Sequence, residues 1–303
     1  MIRPPYLKAG DSVTIVSTAR KVSKAELKMA ADTLQSWGLD VKYGKNLFKS
    51  DRQFAGTDEE RRADFQSALN SKSAAILFAR GGYGTVRFID QIDWKRFQKN
   101  PKWLIGFSDI TAVHSHANKI VEVETLHAPM GLTLSKVNTN CLSVIKDALF
   151  GQRLRYTVSK QTAAMEKLNR AGSARGQLVG GNLSMLHTLS GTPSDLDCSG
   201  KILFLEDLDE YLYHIDRMMM QLKRSGKLAS LAGLVIGGMT DMKDNDIPFG
   251  RTAEEIIAEA VAEYSYPVFF GFPAGHIPNN YPLIFGRDVT LKVSDKMSLT
   301  FHS

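Results

Sequence analysis

Short apolar runs alternate with amphipathic stretches through the first half of the chain. Ser12 to Ser17 reads as a buried strand, and Lys24 to Gly38 places Leu27, Ala30, Ala31 and Leu34 at helical spacing before a glycine stop. Val41 to Tyr43 is a second short strand. Asp58 to Asn70 is a charged helix that offers Ala63, Phe65, Ala68 and Leu69 for packing. The apolar runs Ala74 to Ala79 and Trp103 to Gly106 predict two more strands, each followed by a turn: Arg80-Gly81-Gly82-Tyr83-Gly84 after the first, Phe107-Ser108-Asp109 after the second. Such alternation predicts an α/β fold with a mostly parallel sheet, its loops at the carboxyl ends of the strands forming the site.

The periodicity weakens between 151 and 175, which predicts an amino-terminal α/β domain over 1–150, a connection over 151–175, and a second domain over 176–303. Within the latter, Gly176 to Val179, Lys201 to Leu205, Ala232 to Gly237 and Val268 to Phe270 read as strands. Asn182 to Ser190, Ile215 to Ser225 and Thr252 to Ala262 read as helices, and Val289 to Phe301 alternates like a terminal hairpin around Ser294-Asp295. The stripe Met218, Met219, Met220 and Leu222 fits core or a dimer surface better than a cofactor box.

Composition narrows the function classes. The 303 residues are 43% hydrophobic and carry a net charge of +6 without a basic stripe, which argues against nucleic acid and at most favours an acidic small substrate. No apolar run reaches the roughly 18 residues that span a bilayer, and the start Met1-Ile2-Arg3-Pro4-Pro5 lacks a signal-peptide core; a cytoplasmic protein is expected. Cys141 and Cys198 suggest neither a disulfide framework nor a metal site, and read as small buried fillers.

The turn at Ser108 is the first candidate for chemistry. A serine between a strand and a helix is displayed clear of the sheet, beside helix amides that have no internal partner and can hold negative charge. Alone, such a serine is more often a helix N-cap, and Gly106-Phe107-Ser108-Asp109 lacks the second glycine of the hydrolase elbow. The glycine turn matches no nucleotide motif; it is either an ordinary turn or a source of a second amide, that of Gly82, beside the amide of Asp109 in an oxyanion hole. A serine hydroxyl needs a base oriented by a carboxylate. Of the seven histidines, His276 lies in Phe272-Pro273-Ala274-Gly275-His276, where proline and glycine fix the backbone after a strand. His114 and His116, two apart on one helix, cannot face one target. Glu206 directly follows an apolar strand; its alternatives are a helix-cap carboxylate or an ion pair with Arg217.

Gly106-Phe107-Ser108-Asp109-Ile110-Thr111-Ala112, Arg80-Gly81-Gly82-Tyr83-Gly84, Gly180-Gly181-Asn182-Leu183-Ser184, Leu205-Glu206-Asp207-Leu208-Asp209-Glu210 and Gly271-Phe272-Pro273-Ala274-Gly275-His276 resemble, in order and over nearly the whole chain, the motifs of the LD-carboxypeptidase family of serine peptidases. That family includes murein tetrapeptide carboxypeptidases and microcin C immunity peptidases. The resemblance implies Ser108 as nucleophile, His276 as general base, Glu206 as its orienting carboxylate, and Gly82 and Asp109 as oxyanion amides. It implies a flavodoxin-like domain followed by a smaller β-rich α/β domain of the swivelling β/β/α kind, a site between them, no metal or cofactor, and a homodimer. The implied reaction releases terminal D-alanine from a murein tetrapeptide in cell-wall recycling. Arg80 is a candidate partner for the substrate carboxylate, and Tyr83 a second substrate contact. Ser17-Thr18-Ala19-Arg20 and Ile277-Pro278-Asn279 depart from the family pattern in ways that can alter substrate fit. Two rivals remain: cleavage of a peptidyl-nucleotide antibiotic, for which Tyr211 and Tyr213 would stack a base, and a two-lobed peptide or sugar binding protein without catalysis.

Overall fold

The computed structural model describes residues 1–158 and 162–302, so residues 159–161 of the predicted connection lie outside the described residues. The amino-terminal half runs β1 (Ser12–Val16), α1 (Lys24–Ser36), β2 (Asp40–Tyr43), α2 (Asp58–Asn70), β3 (Ala75–Phe78), α3 (Lys95–Lys99), β4 (Trp103–Gly106), α4 (Thr111–His116), β5 (Thr125–His127), α5 (Gly131–Leu134) and α6 (Thr139–Leu149). There follow β6 (Arg155–Val158), α7 (Ala163–Leu168), β7 (Gly172–Asn182), α8 (Leu183–Leu189), β8 (Ile202–Leu208), α9 (Leu212–Arg224), β9 (Gly233–Thr240), α10 (Ala253–Ala260), β10 (Val268–Phe269), β11 (Leu283–Phe285), β12 (Asp288–Val293) and β13 (Met297–Phe301).

Two sheets result, giving the α/β class that the alternation predicts. The first has the order β11-β5-β4-β3-β1-β2, with β11 antiparallel at one edge and every other pairing parallel. The second has the order β10-β9-β8-β7-β12-β13-β6, parallel from β10 to β7 and antiparallel beyond. The predicted connection therefore contributes β6, which pairs with β13, and the first residues of β7. Strand β11 returns to complete the amino-terminal sheet. No helix among the described residues is long and apolar enough to cross a membrane.

Local chemistry explains where helices begin. Ser23 with Glu26, Thr57 with Glu60 and Thr252 with Glu255 form reciprocal capping boxes at α1, α2 and α10, each satisfying amides that the helix leaves open. In α1 the buried residues are Leu27, Ala30, Ala31 and Leu34, as the spacing predicts. In α2 the packing face differs from expectation: Ala63 is exposed, while Arg61 and Asp64 are buried with Phe65, Ala68 and Leu69. An apolar period cannot reveal charged residues whose partners come from other segments. Asp64 accepts from the Asn46 amide at 2.8 Å and Asn46 Nδ2 at 2.9 Å, and Arg61 donates to the Gly56 and Thr18 carbonyls. Met218, Met219 and Leu222 of α9 are core, whereas Met220 is exposed. Cys141 and Cys198 are both free and buried.

Two neighbouring strands of the first sheet and one strand of the second position the site. β3 and β4 lie side by side, so the turns at their carboxyl ends, 80–84 and 107–109, are adjacent. The strand β8 runs through Glu206 and carries a register irregularity between Leu205 and Asp207. Because side chains alternate along a strand, Leu203 and Leu205 face the helices of the second sheet's core, while Ile202 and Phe204 join the core shared with the first sheet. Glu206 continues the second face, and Asp207 turns to α8.

Candidate active site

Ser108 adopts φ +64°, a left-handed conformation that an ordinary L-residue rarely takes. It begins a short 3-10 turn leading into α4, and its hydroxyl caps nothing: the N-cap position is Phe107, without a side-chain bond. Instead, Ser108 Oγ lies 3.1 Å from His276 Nε2. The other ring nitrogen, Nδ1, is 2.6 Å from Glu206 Oε2, which also accepts from the His276 backbone amide at 3.1 Å. Glu206 is thus bonded to His276, not to Arg217, which stacks over Tyr213. Three segments that are distant in sequence meet as one hydrogen-bonded chain of alcohol, imidazole and carboxylate.

The surroundings hold each member in place. Glu206 is 0% exposed, and a carboxylate so buried is costly without donors. Its two bonds to residue 276 supply them for Oε2, with Nδ1 donating when Nε2 is free to accept, while Oε1 is buried without a hydrogen-bond partner among the described residues. The Phe107 ring packs against the imidazole, centroids 4.7 Å apart. Burial is the largest influence on His276 and lowers its pKa, but the charge and hydrogen bond of Glu206, with the charge of Asp207, outweigh it and raise the pKa above the usual value. Asp207 is itself pushed up to about 6 by burial and by Glu206, despite bonds from Ser184 and Asn182.

Glycines let the backbone close on these side chains. A Cβ on Gly81 would stand 3.2 Å from Ser108 Cβ and 3.3 Å from its Oγ, so the turn after β3 passes directly against the serine. At Gly275, with φ +104°, a Cβ would stand 2.7 Å from Glu206 Cβ and 2.8 Å from Oε2. Gly275→Ala therefore adds backbone strain and displaces Glu206. The expected outcome is a loss of about 2 kcal/mol of stability or more and a fall of at least about tenfold in kcat, as a misplaced orienting group allows. Thermal melts and steady-state kinetics of that variant check both.

A cleft of about 500 Å³ opens over the serine, lined among others by Arg20, Arg80, Gly82, Ser108, Glu210 and His276. A second, of about 410 Å³, shares Phe107, Thr133, Leu208 and His276 with the first and includes Lys136, Asp241, Ile277 and Pro278. Arg80 lines the first cleft and donates to the Lys21 carbonyl at 3.2 Å. Arg20, which the residue pattern marked only as part of a departure, lies across Gly82, its Cδ 2.6 Å from where a Cβ would be. Tyr83 is 44% exposed and packs towards Phe54, outside the residues lining either cleft. Tyr213 lines a separate depression with Asp216 and Arg217.

The other histidines are occupied elsewhere. His114 Nε2 is bonded to the Gly106 carbonyl, and burial lowers its pKa to about 4. His116 meets Ser194. His127 is fully buried among Phe107, Phe204 and Phe285, and burial holds its pKa well below the usual value. Among the described residues no group of three or more His, Cys, Asp or Glu side chains is placed to hold a metal ion. Sequence reasoning missed Asp207, Phe107 and Arg20 as neighbours of the site. Asp207 and Phe107 stand inside the quoted motifs, next to Glu206 and Ser108, with no role of their own in the reading of those motifs, whereas Arg20 reaches the cleft only through the fold.

Comparison with known proteins identifies the family. Residues 13–128 match the model of the LD-carboxypeptidase N-terminal domain, and residues 175–291 that of the LD-carboxypeptidase C-terminal domain. A Bacillus subtilis protein named as a probable murein peptide carboxypeptidase is 33% identical over 98% of this chain and 93% of its own. The murein tetrapeptide carboxypeptidase of Pseudomonas aeruginosa is 28% identical over 92% of each. The crystal structure of muramoyltetrapeptide carboxypeptidase from Oxalobacter formigenes superposes with a TM-score of 0.86 at 27% identity, covering 96% of this chain and 99% of that one. An MccF-like protein from Bacillus anthracis shares the fold, with a TM-score of 0.86 at 23% identity and full coverage of both chains. With both halves matched and relatives aligned nearly end to end, the chain belongs to the LD-carboxypeptidase family.

Proposed function

We propose that this protein is a serine carboxypeptidase that hydrolyses the L,D peptide bond releasing terminal D-alanine from a murein tetrapeptide. The observation that carries the reading is the chain Glu206–His276–Ser108, with contacts of 2.6 and 3.1 Å, at the floor of a cleft bearing two arginines. The names of the relatives from B. subtilis and P. aeruginosa support the substrate class.

In this mechanism Ser108 Oγ attacks the carbonyl of the third residue while His276 Nε2 takes its proton. Glu206 holds Nδ1–H and stabilises the imidazolium that forms. The amides of Gly82 and Asp109 hold the tetrahedral oxyanion. His276 then gives the proton to the nitrogen of the departing D-alanine, leaving an ester on Ser108. Water, deprotonated by His276, hydrolyses that ester and restores the serine. Arg20 and Arg80 supply positive charge for the substrate's carboxylates.

His276 must be neutral to accept the proton. Since its pKa lies above the ordinary histidine value, the protonated, inactive form persists to higher pH than for a free imidazole. The acid limb of kcat/KM is expected above about pH 6.5, with activity falling as pH drops through it. A pH–rate profile on the tetrapeptide checks the sign; a limb well below that value contradicts it.

The reading is tested by mass spectrometry of products from defined murein tetrapeptides, in parallel with an aminoacyl-sulfamoyl adenylate. Release of D-alanine and the tripeptide supports it. Exclusive cleavage of the adenylate moves the assignment to the antibiotic-cleaving branch, and binding without cleavage of either moves it to a binding protein.

A further inference from the structure

The carboxylate of Asp109 takes no part in the reaction described above, yet it is 1% exposed and fully engaged. Oδ1 accepts from the Gly84 amide at 3.3 Å; Oδ2 accepts from the Thr85 amide at 3.1 Å and from Thr85 Oγ1 at 2.6 Å. The Thr85 and Thr18 hydroxyls are 2.7 Å apart. The Thr85 hydroxyl thus stands between the carboxylate and the Thr18 hydroxyl, within donating distance of both. The carbonyl of Thr18 in turn accepts from Nη1 of Arg61, a side chain 1% exposed that lies directly beneath Gly84.

This network joins the two halves of the oxyanion hole. The glycine turn leaves β3 and passes Ser108 at Gly81; its far end, at Gly84 and Thr85, is tied to the residue that follows the nucleophile. One residue therefore contributes an amide on one side of the hole and fixes the segment that carries the other. Resting on the proposed serine mechanism, we propose that the Asp109 carboxylate, with Thr85, Thr18 and Arg61, is a positioning brace that sets the Gly82 amide against the Ser108 turn. Its effect falls on the transition state, because donors aimed in advance at a developing oxyanion cost no reorganisation during reaction. A ground-state carbonyl draws little on them, so substrate affinity depends on other contacts.

Asp109→Asn keeps the size of the side chain but turns an NH2 towards donor groups. The expected result on murein tetrapeptide is a fall in kcat of about 100-fold with KM within about threefold, and an equal weakening of a peptidyl boronate that mimics the tetrahedral intermediate. Thr85→Val removes one donor and is expected to lower kcat by about tenfold, whereas Thr85→Ser, which keeps the hydroxyl, recovers to within about threefold. Kinetics that leave kcat and boronate affinity within about threefold of wild type in folded Asp109→Asn or Thr85→Val, or that change KM alone, overturn the brace. Should Asp109→Asn fail to fold, the Thr85→Val and Thr85→Ser pair decides by the same criteria. Ser108→Ala, run alongside, separates the two levels. If it is inactive while the Asp109 and Thr85 variants are normal, only the brace fails; if it still turns over, the serine mechanism itself fails.

Discussion

Ser108→Ala is expected to lower kcat on murein tetrapeptide by on the order of 10⁵- to 10⁶-fold, while ligand binding remains measurable. The size follows from the bond that is lost. Without Oγ no acyl-enzyme forms, and the base at His276, placed 3.1 Å from that oxygen, has no nucleophile to activate. Residual rate comes from the oxyanion amides and substrate positioning alone. The same position carries a stability cost, since Ser108 sits at φ +64°. Ser108→Gly, equally inactive, is expected to be more stable than wild type by about 1 kcal/mol, because glycine takes that conformation without a Cβ penalty. Calorimetric melts beside D-alanine release assays check both; a less stable glycine variant or an active alanine variant removes the elbow from the account.

Glu206→Gln is expected to cost about 10³- to 10⁴-fold in kcat with a modest change in KM, the scale seen when an orienting carboxylate is neutralised without loss of shape. Oε2 of Glu206 accepts both from Nδ1 and from the amide of residue 276. A carboxamide oxygen in that place can still accept both bonds but carries no charge to offset the imidazolium; turned the other way, it sets an NH2 against Nδ1 and leaves the ring with its proton on Nε2, facing Ser108. Removal of the charge also takes away the leading influence that raises the His276 pKa. The remaining activity is therefore expected to have its acid limb at lower pH than wild type. Steady-state kinetics across pH check this, and a variant with an unmoved limb and nearly full kcat contradicts the role of Glu206.

The parts of this architecture that were legible in the residues are those written in local chemistry. Helical spacing before a glycine stop placed α1, a charged stretch with a few apolar positions placed α2, and apolar runs ending in glycine or serine turns placed β3 and β4. The alcohol, imidazole and carboxylate could be nominated because each stands at or beyond the carboxyl end of an apolar run, although β8 continues through Glu206 to Leu208 rather than stopping before it. What stayed hidden depends on long-range partners. Arg61 and Asp64 look like solvent charges on a polar helix, and partners such as the carbonyls of Thr18 and Gly56 and the backbone amide and side chain of Asn46 make their burial tolerable. The Asp109 carboxylate reads as an ordinary first-turn acid, yet its donors lie 24 and 25 residues away. β11 is three residues long and pairs with β5 across more than 150 positions of sequence, beyond any periodicity. Arg20 reaches the cleft because β1 is adjacent to β3, which is a property of sheet order.

The most direct measurement is covalent labelling by a murein tripeptide analogue bearing a fluorophosphonate in place of the scissile carbonyl, mapped by tandem mass spectrometry and followed by D-alanine release. The expected result is a single adduct on Ser108, formed in step with loss of activity and slowed by the tetrapeptide. Complete inactivation with the label on a different residue, or full labelling of Ser108 with D-alanine release undiminished, would contradict the central claim that this serine carries the acyl group.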